Sequence, residues 1–116
     1  MIRILIVDDH SVVRRGLRHL LATYADMQVV GEASDGPSAM QAATTLSPDV
    51  ILLDIRLPGA SGLDIAPQLR QAAPEARIII LTTYEDDEYL VKALGGGAHG
   101  YLLKSTSDEH VAEAIR

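Results

Sequence analysis

Two kinds of apolar pattern alternate along the chain. Short continuous runs rich in Ile, Val and Leu cover Ile2 to Val7, Gln28 to Ala33 (the weakest of them), Val50 to Leu53, Arg77 to Leu81 and Gly100 to Leu103. Unbroken runs of this length suit strands buried on both faces. Between them, apolar residues recur at helical spacing. In Ser11 to Thr23, Val13, Leu17, Leu20 and Leu21 fall at i, i+4, i+7 and i+8, which is one stripe of an amphipathic helix. Ser11 is the expected N-cap. Pro37 to Leu46 predicts an Ala-rich second helix with Pro37 at its first position. Ser61 to Ala73 predicts a third, and Glu85 to Leu94 a fourth, with Glu85, Asp86, Asp87 and Glu88 at its electropositive end. Thr106-Ser107-Asp108-Glu109 reads as a capping box opening a fifth helix, still running at Arg116.

The order is therefore strand then helix, five times over. Such alternation predicts an α/β fold with a five-stranded parallel sheet and helices on both faces. Residues 1–116 form a single domain on this reading, and the stop inside a helix is expected of a piece of a longer protein. Two local features strain the pattern. Pro67 lies inside the third helix and cannot donate to Leu63; an interior proline costs about 3 kcal/mol, which predicts a kink or a start later than Ser61. Gly95-Gly96-Gly97 predicts the stop of the fourth helix.

Composition narrows the function. The chain has 116 residues, a formal net charge of −6, no Cys, no Trp and no Phe. Absence of Cys excludes a disulfide scaffold, a Cys-ligated zinc site and thiol nucleophilic chemistry. The negative charge repels nucleic-acid phosphates, so this segment is not expected to bind DNA or RNA directly. No run reaches the 18 or so apolar residues of a transmembrane helix. Met1-Ile2-Arg3-Ile4-Leu5 leads straight into acids without a signal-peptide pattern, so a cytoplasmic location is expected and no membrane partner.

Open α/β sheets bind ligands beyond the carboxyl ends of their strands. Asp8 and Asp9 follow the first predicted strand, Asp54 the third, Thr82 and Thr83 the fourth, and Lys104 the fifth. Three carboxylates gathered at one edge repel each other unless a proton or a cation intervenes. An oxygen-only donor set favours Mg²⁺, which commonly takes one or two carboxylates, waters and a phosphate. A carboxylate beside Mg²⁺ is a competent phosphoryl acceptor. Phosphoryl transfer then needs positioning and charge neutralisation, to which Lys104 contributes, while Thr82 can hydrogen-bond a phosphoryl oxygen.

These five positions resemble the receiver domain of bacterial two-component response regulators, over the whole chain. Val7-Asp8-Asp9-His10, Leu53-Asp54-Ile55-Arg56-Leu57-Pro58 and Gly100-Tyr101-Leu102-Leu103-Lys104 look most like the NarL/FixJ subfamily. The resemblance implies a (βα)5 flavodoxin-like, CheY-like fold with strand order 2-1-3-4-5. It implies that Asp54 accepts a phosphoryl group from a sensor histidine kinase. Mg²⁺ would be held by Asp8, Asp9, Asp54 and the backbone carbonyl of Arg56. Lys104 would pair with the phosphoryl group, Thr82 would move toward it, and Tyr101 would be the aromatic switch. A C-terminal helix-turn-helix output domain controlling transcription is expected in the full-length protein, with homodimerisation on phosphorylation as a family expectation. Such a module assists its own phosphorylation and dephosphorylation but is a signalling domain rather than an enzyme.

Ser105 stands where many receivers have proline after a cis bond; a non-proline cis peptide costs about 2.5–4 kcal/mol, so that geometry is not expected here. Arg14, Arg15 and Arg18 read as a solvated helix face, with kinase docking as the functional alternative. His10 reads as a packing group near the acids rather than a ligand, because Mg²⁺ avoids imidazole. Three rival functions fit the residues less well. A phosphatase of the haloacid dehalogenase type needs an acid two residues after the nucleophile, where Arg56 stands. A flavodoxin-like nucleotide module needs a phosphate cradle, which Asp8-Asp9-His10-Ser11 does not offer. A receiver-like interaction module working without phosphorylation has no need of the five positions that are all present.

Overall fold

Each of the five apolar runs forms a strand of one sheet. The computed structural model describes residues 1–82, 98–103 and 108–116; the predicted fourth helix, Gly95 to Gly97, Lys104, Ser105, Thr106 and Ser107 lie outside them. In chain order the elements are β1 (Ile2–Val7), α1 (Ser11–Ala22), β2 (Met27–Ala33), α2 (Gly36–Leu46), β3 (Val50–Leu53), β4 (Arg56–Leu57), β5 (Ala60–Ser61), α3 (Gly62–Ala72), β6 (Arg77–Thr82), β7 (Gly100–Leu103) and α4 (Asp108–Ile115). The large sheet runs β2-β1-β3-β6-β7 with every pair parallel. Counting only its own strands, that is the predicted order 2-1-3-4-5.

Side-chain alternation splits the core in two. Leu5, Val7, Ile51, Leu53, Ile78 and Ile80 face one side, where Ala39 and Ala43 of α2 and Ile65, Ala66 and Leu69 of α3 cover them. Ile4, Ile6, Val50, Leu52 and Ile79 face the other, against Leu21 of α1 and Val111, Ala112 and Ile115 of α4. The central strands are buried on both faces, as their unbroken apolar runs require. Burying each such side chain is worth about 1.5–3 kcal/mol, so sheet and helices hold each other.

Helix starts differ in detail from the sequence reading. The N-cap of α1 is His10, without a side-chain cap bond, and Ser11 is already helical. The reason is local: the Asp8 carboxylate accepts the His10 N–H at 2.9 Å, which turns the chain one residue early. At α2, Asp35 is the cap and forms a reciprocal capping box with Ser38, so Pro37 sits second rather than first. At α3 the start is not delayed by Pro67; Ser61 caps the helix by accepting from Leu63, and the helix continues to Ala72. Pro67 is on the exposed side, where water can take the carbonyl its missing N–H leaves free.

A two-stranded antiparallel ribbon, β4 with β5, was not foreseen. It pairs Arg56 with Ser61 and Leu57 with Ala60. Pro58 and Gly59 make its turn, with Gly59 at φ +76, as the second central position of a type II turn demands.

Gly16 and His99 each offer a test of local packing. A Cβ on Gly16 of α1 would meet nothing within 4 Å, so Gly16→Ala is expected to stabilise the chain by up to about 1 kcal/mol through helix propensity, read as a higher urea midpoint. The His99 backbone N–H donates to the Ile78 carbonyl at 2.7 Å, and its Nδ1 accepts the Ile78 N–H at 3.0 Å. Desolvation, then the charges of Arg70 and Arg77, push the imidazole below its usual value of 6.5. A base depressed in the native state binds more protons unfolded, so this contribution to stability is present above pH 6.5 or so and lost as pH falls through it. Denaturation midpoints should drop over that window in the parent chain, and less in His99→Asn, whose amide oxygen can still accept from Ile78.

Candidate functional site

The register of β1 against β3 pairs Val7 with Leu53, so the residues that follow, Asp8 and Asp54, emerge side by side at the carboxyl edge. Backbone bonds extend the ladder past the strand ends: Asp8 N–H donates to the Ala33 carbonyl at 3.0 Å and Asp54 N–H to the Val7 carbonyl at 2.9 Å. Both carboxylates are buried, Asp8 at 2% and Asp54 at 5% exposure. Such burial of charge is costly unless donors or cations compensate. Asp8 accepts from the His10 N–H, and Asp54 from the Ile55 N–H at 2.8 Å.

One ligand atom from each of Asp8, Asp9, His10 and Asp54 lies within 4.8 Å of the others, with Asp9 and His10 exposed. The His10 Nδ1 is 3.2 Å from an Asp8 oxygen and 3.0 Å from an Asp9 oxygen. The largely exposed imidazole lies against both acids and is itself one of the four groups placed to reach a common cation. The donor set fits a small hard cation: three carboxylates, two of them sheltered, converge where oxygen ligands suit Mg²⁺. The acid after β2 is used differently. Asp35 accepts from the Ser38 N–H and hydroxyl, and those bonds hold its carboxyl below the ordinary carboxylate value.

The other expected residues that are described lie on the β4–β5 ribbon and on β6 and β7. Arg56 opens β4, two positions beyond Asp54. Thr82 ends β6, and its register partner on β7 is Leu103, the residue before Lys104. Tyr101 pairs with Ile80 two positions earlier. It is half-buried and packs against the core on the α2–α3 side. The side chain of Thr82 and all of Lys104 lie outside the described residues.

Two contributors were not recognised from sequence. Gly62 N–H donates to the Ile55 carbonyl at 2.5 Å, and a Cβ at Gly62 would collide with the Asp54 carbonyl oxygen. The N-terminus of α3 is thus seated directly on the Asp54–Ile55 peptide. The signal was the Ser61-Gly62 step, a cap followed by the one residue that permits such approach. The second is Arg14. The arginine face of α1 is not simply solvated: Arg14 and Arg18 both bind Glu32, and Arg14 Nη1 donates to the Asp8 carbonyl at 2.7 Å. Their i, i+4 spacing places them on one helix face, but the Glu32 partner is a tertiary fact.

Gly62→Ala should therefore destabilise the fold. Because the obstacle is backbone, overpacking should cost about 1–3 kcal/mol, measured by thermal or urea unfolding.

Comparison with known proteins agrees with this geometry. The family model described as the response regulator receiver domain matches residues 4–116. Among curated relatives, the transcriptional regulatory protein LiaR of Bacillus subtilis is 41% identical over 116 residues, covering 100% of this chain and 55% of LiaR. The oxygen regulatory protein NreC of Staphylococcus haemolyticus is 44% identical over 115 residues, covering 98% of this chain and 53% of NreC. The chain thus spans about half the length of these relatives. Among solved structures, the signal receiver domain of the putative response regulator NarL from Mycobacterium tuberculosis superposes with a TM-score of 0.92 at 32% identity, covering 98% of this chain and 92% of that one. A LuxR-family DNA-binding response regulator from Staphylococcus aureus gives 0.91 at 28% identity, covering 99% and 96%.

Proposed function

The chain belongs to the response regulator receiver domain family, and from that premise we propose that Asp54 is its phosphoacceptor, loaded by a sensor histidine kinase. Receivers are signalling domains rather than enzymes in the ordinary sense, and the relatives named above are transcriptional regulators. The observation that carries the proposal is the buried Asp54 carboxylate set beside Asp8 and Asp9 at the carboxyl edge of the sheet.

In the proposed reaction an Asp54 oxygen bonds to phosphorus as the phosphorus–nitrogen bond of a phosphohistidine breaks. The imidazole nitrogen leaves with the bonding pair and is protonated. Asp8, Asp9, Asp54 and the Arg56 carbonyl would hold Mg²⁺, which supplies charge neutralisation for the phosphoryl oxygens. Lys104 pairs with the phosphoryl group and Thr82 hydrogen-bonds it. Phosphorylation replaces the single carboxylate charge with a phosphoryl group of about −2, a net gain of about one negative charge, together with new acceptor oxygens. The proposed response runs from Thr82 to Tyr101 on the neighbouring strand, biasing a two-state element. The changed surface would control a C-terminal DNA-binding domain in a cytoplasmic full-length regulator, through homodimerisation. No helix among the described residues is long and apolar enough to cross a membrane.

Incubation with acetyl phosphate and Mg²⁺ should add one phosphoryl group to the intact mass. EDTA and Asp54→Asn should each abolish the gain. A folded chain that gains nothing would shift the reading toward a receiver-like interaction module that works without phosphorylation.

A further inference from the structure

Asp8 is held by every polar group it has. Its N–H donates to Ala33 at the end of β2, its carboxylate accepts the His10 N–H, and its carbonyl accepts Arg14 Nη1 at 2.7 Å. Arg14 is itself fixed. Its Nε donates to one oxygen of Glu32 at 3.1 Å, while Arg18 Nε takes the other oxygen at 2.8 Å. The Arg14 side chain is 20% exposed, so its guanidinium is sandwiched between the Asp8 peptide and the Glu32 carboxylate. Glu32 sits opposite Ile6 in the β1–β2 register, one step before Ala33, the residue that accepts from Asp8. One arginine therefore ties α1, β2 and the acid-bearing turn together at a single peptide.

We infer that Arg14 is a positioning residue: held by Glu32, it fixes the Asp8 peptide and so sets how tightly the acid cluster binds its divalent cation. The inference rests on the proposed reading of Asp8 and Asp9 as cation ligands. Arg14 touches neither the cation nor the phosphoryl group.

Position and charge push in opposite directions here. As a mere positive charge near the acids, Arg14 would weaken cation binding by repulsion, and its loss would strengthen it. As a positioning group, its loss frees the Asp8 carbonyl and weakens binding. Lysine separates the two, because it keeps the charge but lacks the planar fork that reaches Asp8 and Glu32 at once.

The test is Mg²⁺ titration by isothermal calorimetry of the parent chain, Arg14→Lys, Arg14→Gln and Glu32→Gln. Groups that orient a metal ligand typically contribute 10–100-fold in affinity. Both Arg14 variants are expected to raise the Mg²⁺ dissociation constant about tenfold, the lower end of that range, and Glu32→Gln to raise it less. Unchanged or tighter binding in Arg14→Gln, or parental binding in Arg14→Lys, overturns the inference. If the Arg14 variants fail to fold by circular dichroism, Glu32→Gln decides: weaker Mg²⁺ binding supports it and parental affinity overturns it. Phosphorylation with acetyl phosphate at saturating Mg²⁺ separates the two readings. A parent chain that takes no phosphoryl group sinks the phosphoacceptor role, while the order of Mg²⁺ affinities still judges Arg14.

Discussion

Carboxylates crowded onto one edge of a sheet repel one another until a cation or a proton joins them. Asp8 and Asp54 cannot move apart to relieve this, because the parallel register that pairs Val7 with Leu53 also sets the separation of the residues that follow. That register is in turn held by strands buried on both faces, between α2–α3 on one side and α1–α4 on the other. The core thus imposes the electrostatic strain. Peptide donors from His10 and Ile55 offset part of it, and the carboxylates that remain form a cluster able to hold a metal ion.

Asp54 and Asp8 are braced differently. On the α3 side, Gly62 lies against the Asp54–Ile55 peptide, closely enough that no other residue fits without displacing backbone. The β4–β5 ribbon closes the loop between Asp54 and that helix, with Gly59 taking the left-handed conformation at its turn. On the β2 side, Asp8 is bound through both of its peptide groups. Close-packed elements of this kind transmit strain rather than absorb it.

Most of the fold was legible because a buried parallel strand must be apolar on both faces. Ile2 to Val7, Val50 to Leu53 and Gly100 to Leu103 announce themselves by composition alone and match the observed strands residue for residue. The short ribbon was not legible: Arg56-Leu57 and Ala60-Ser61 are too brief for any periodicity, and only Pro58-Gly59 marked a turn. The cap of α1 was misassigned because Ser11 has the better intrinsic preference, whereas the Asp8 side chain turns the chain at His10. The acid cluster could be assembled from strand ends once the topology was known. Arg14 could not, since its meaning depends on Glu32, eighteen positions away on another element. Charged residues on a helix face carry no label for the partner they will find.

These features say where a change of state can be accommodated. On the proposed reading, a phosphoryl charge at Asp54 would meet backbone packed against Gly62 toward α3 and a hydrogen-bonded turn toward β2. A ligand can shift an equilibrium only by the difference in its interactions with the two states, and groups already fully bonded in the resting state offer little difference. Tyr101 is half-buried against the core, beside Ile80, two register steps before residue 82 meets Leu103. On the proposed reading, the bracing around Asp8 and Asp54 therefore does more than hold ligands. By denying the phosphoryl charge any response on that side, it leaves the β6–β7 side as the direction in which the signal travels.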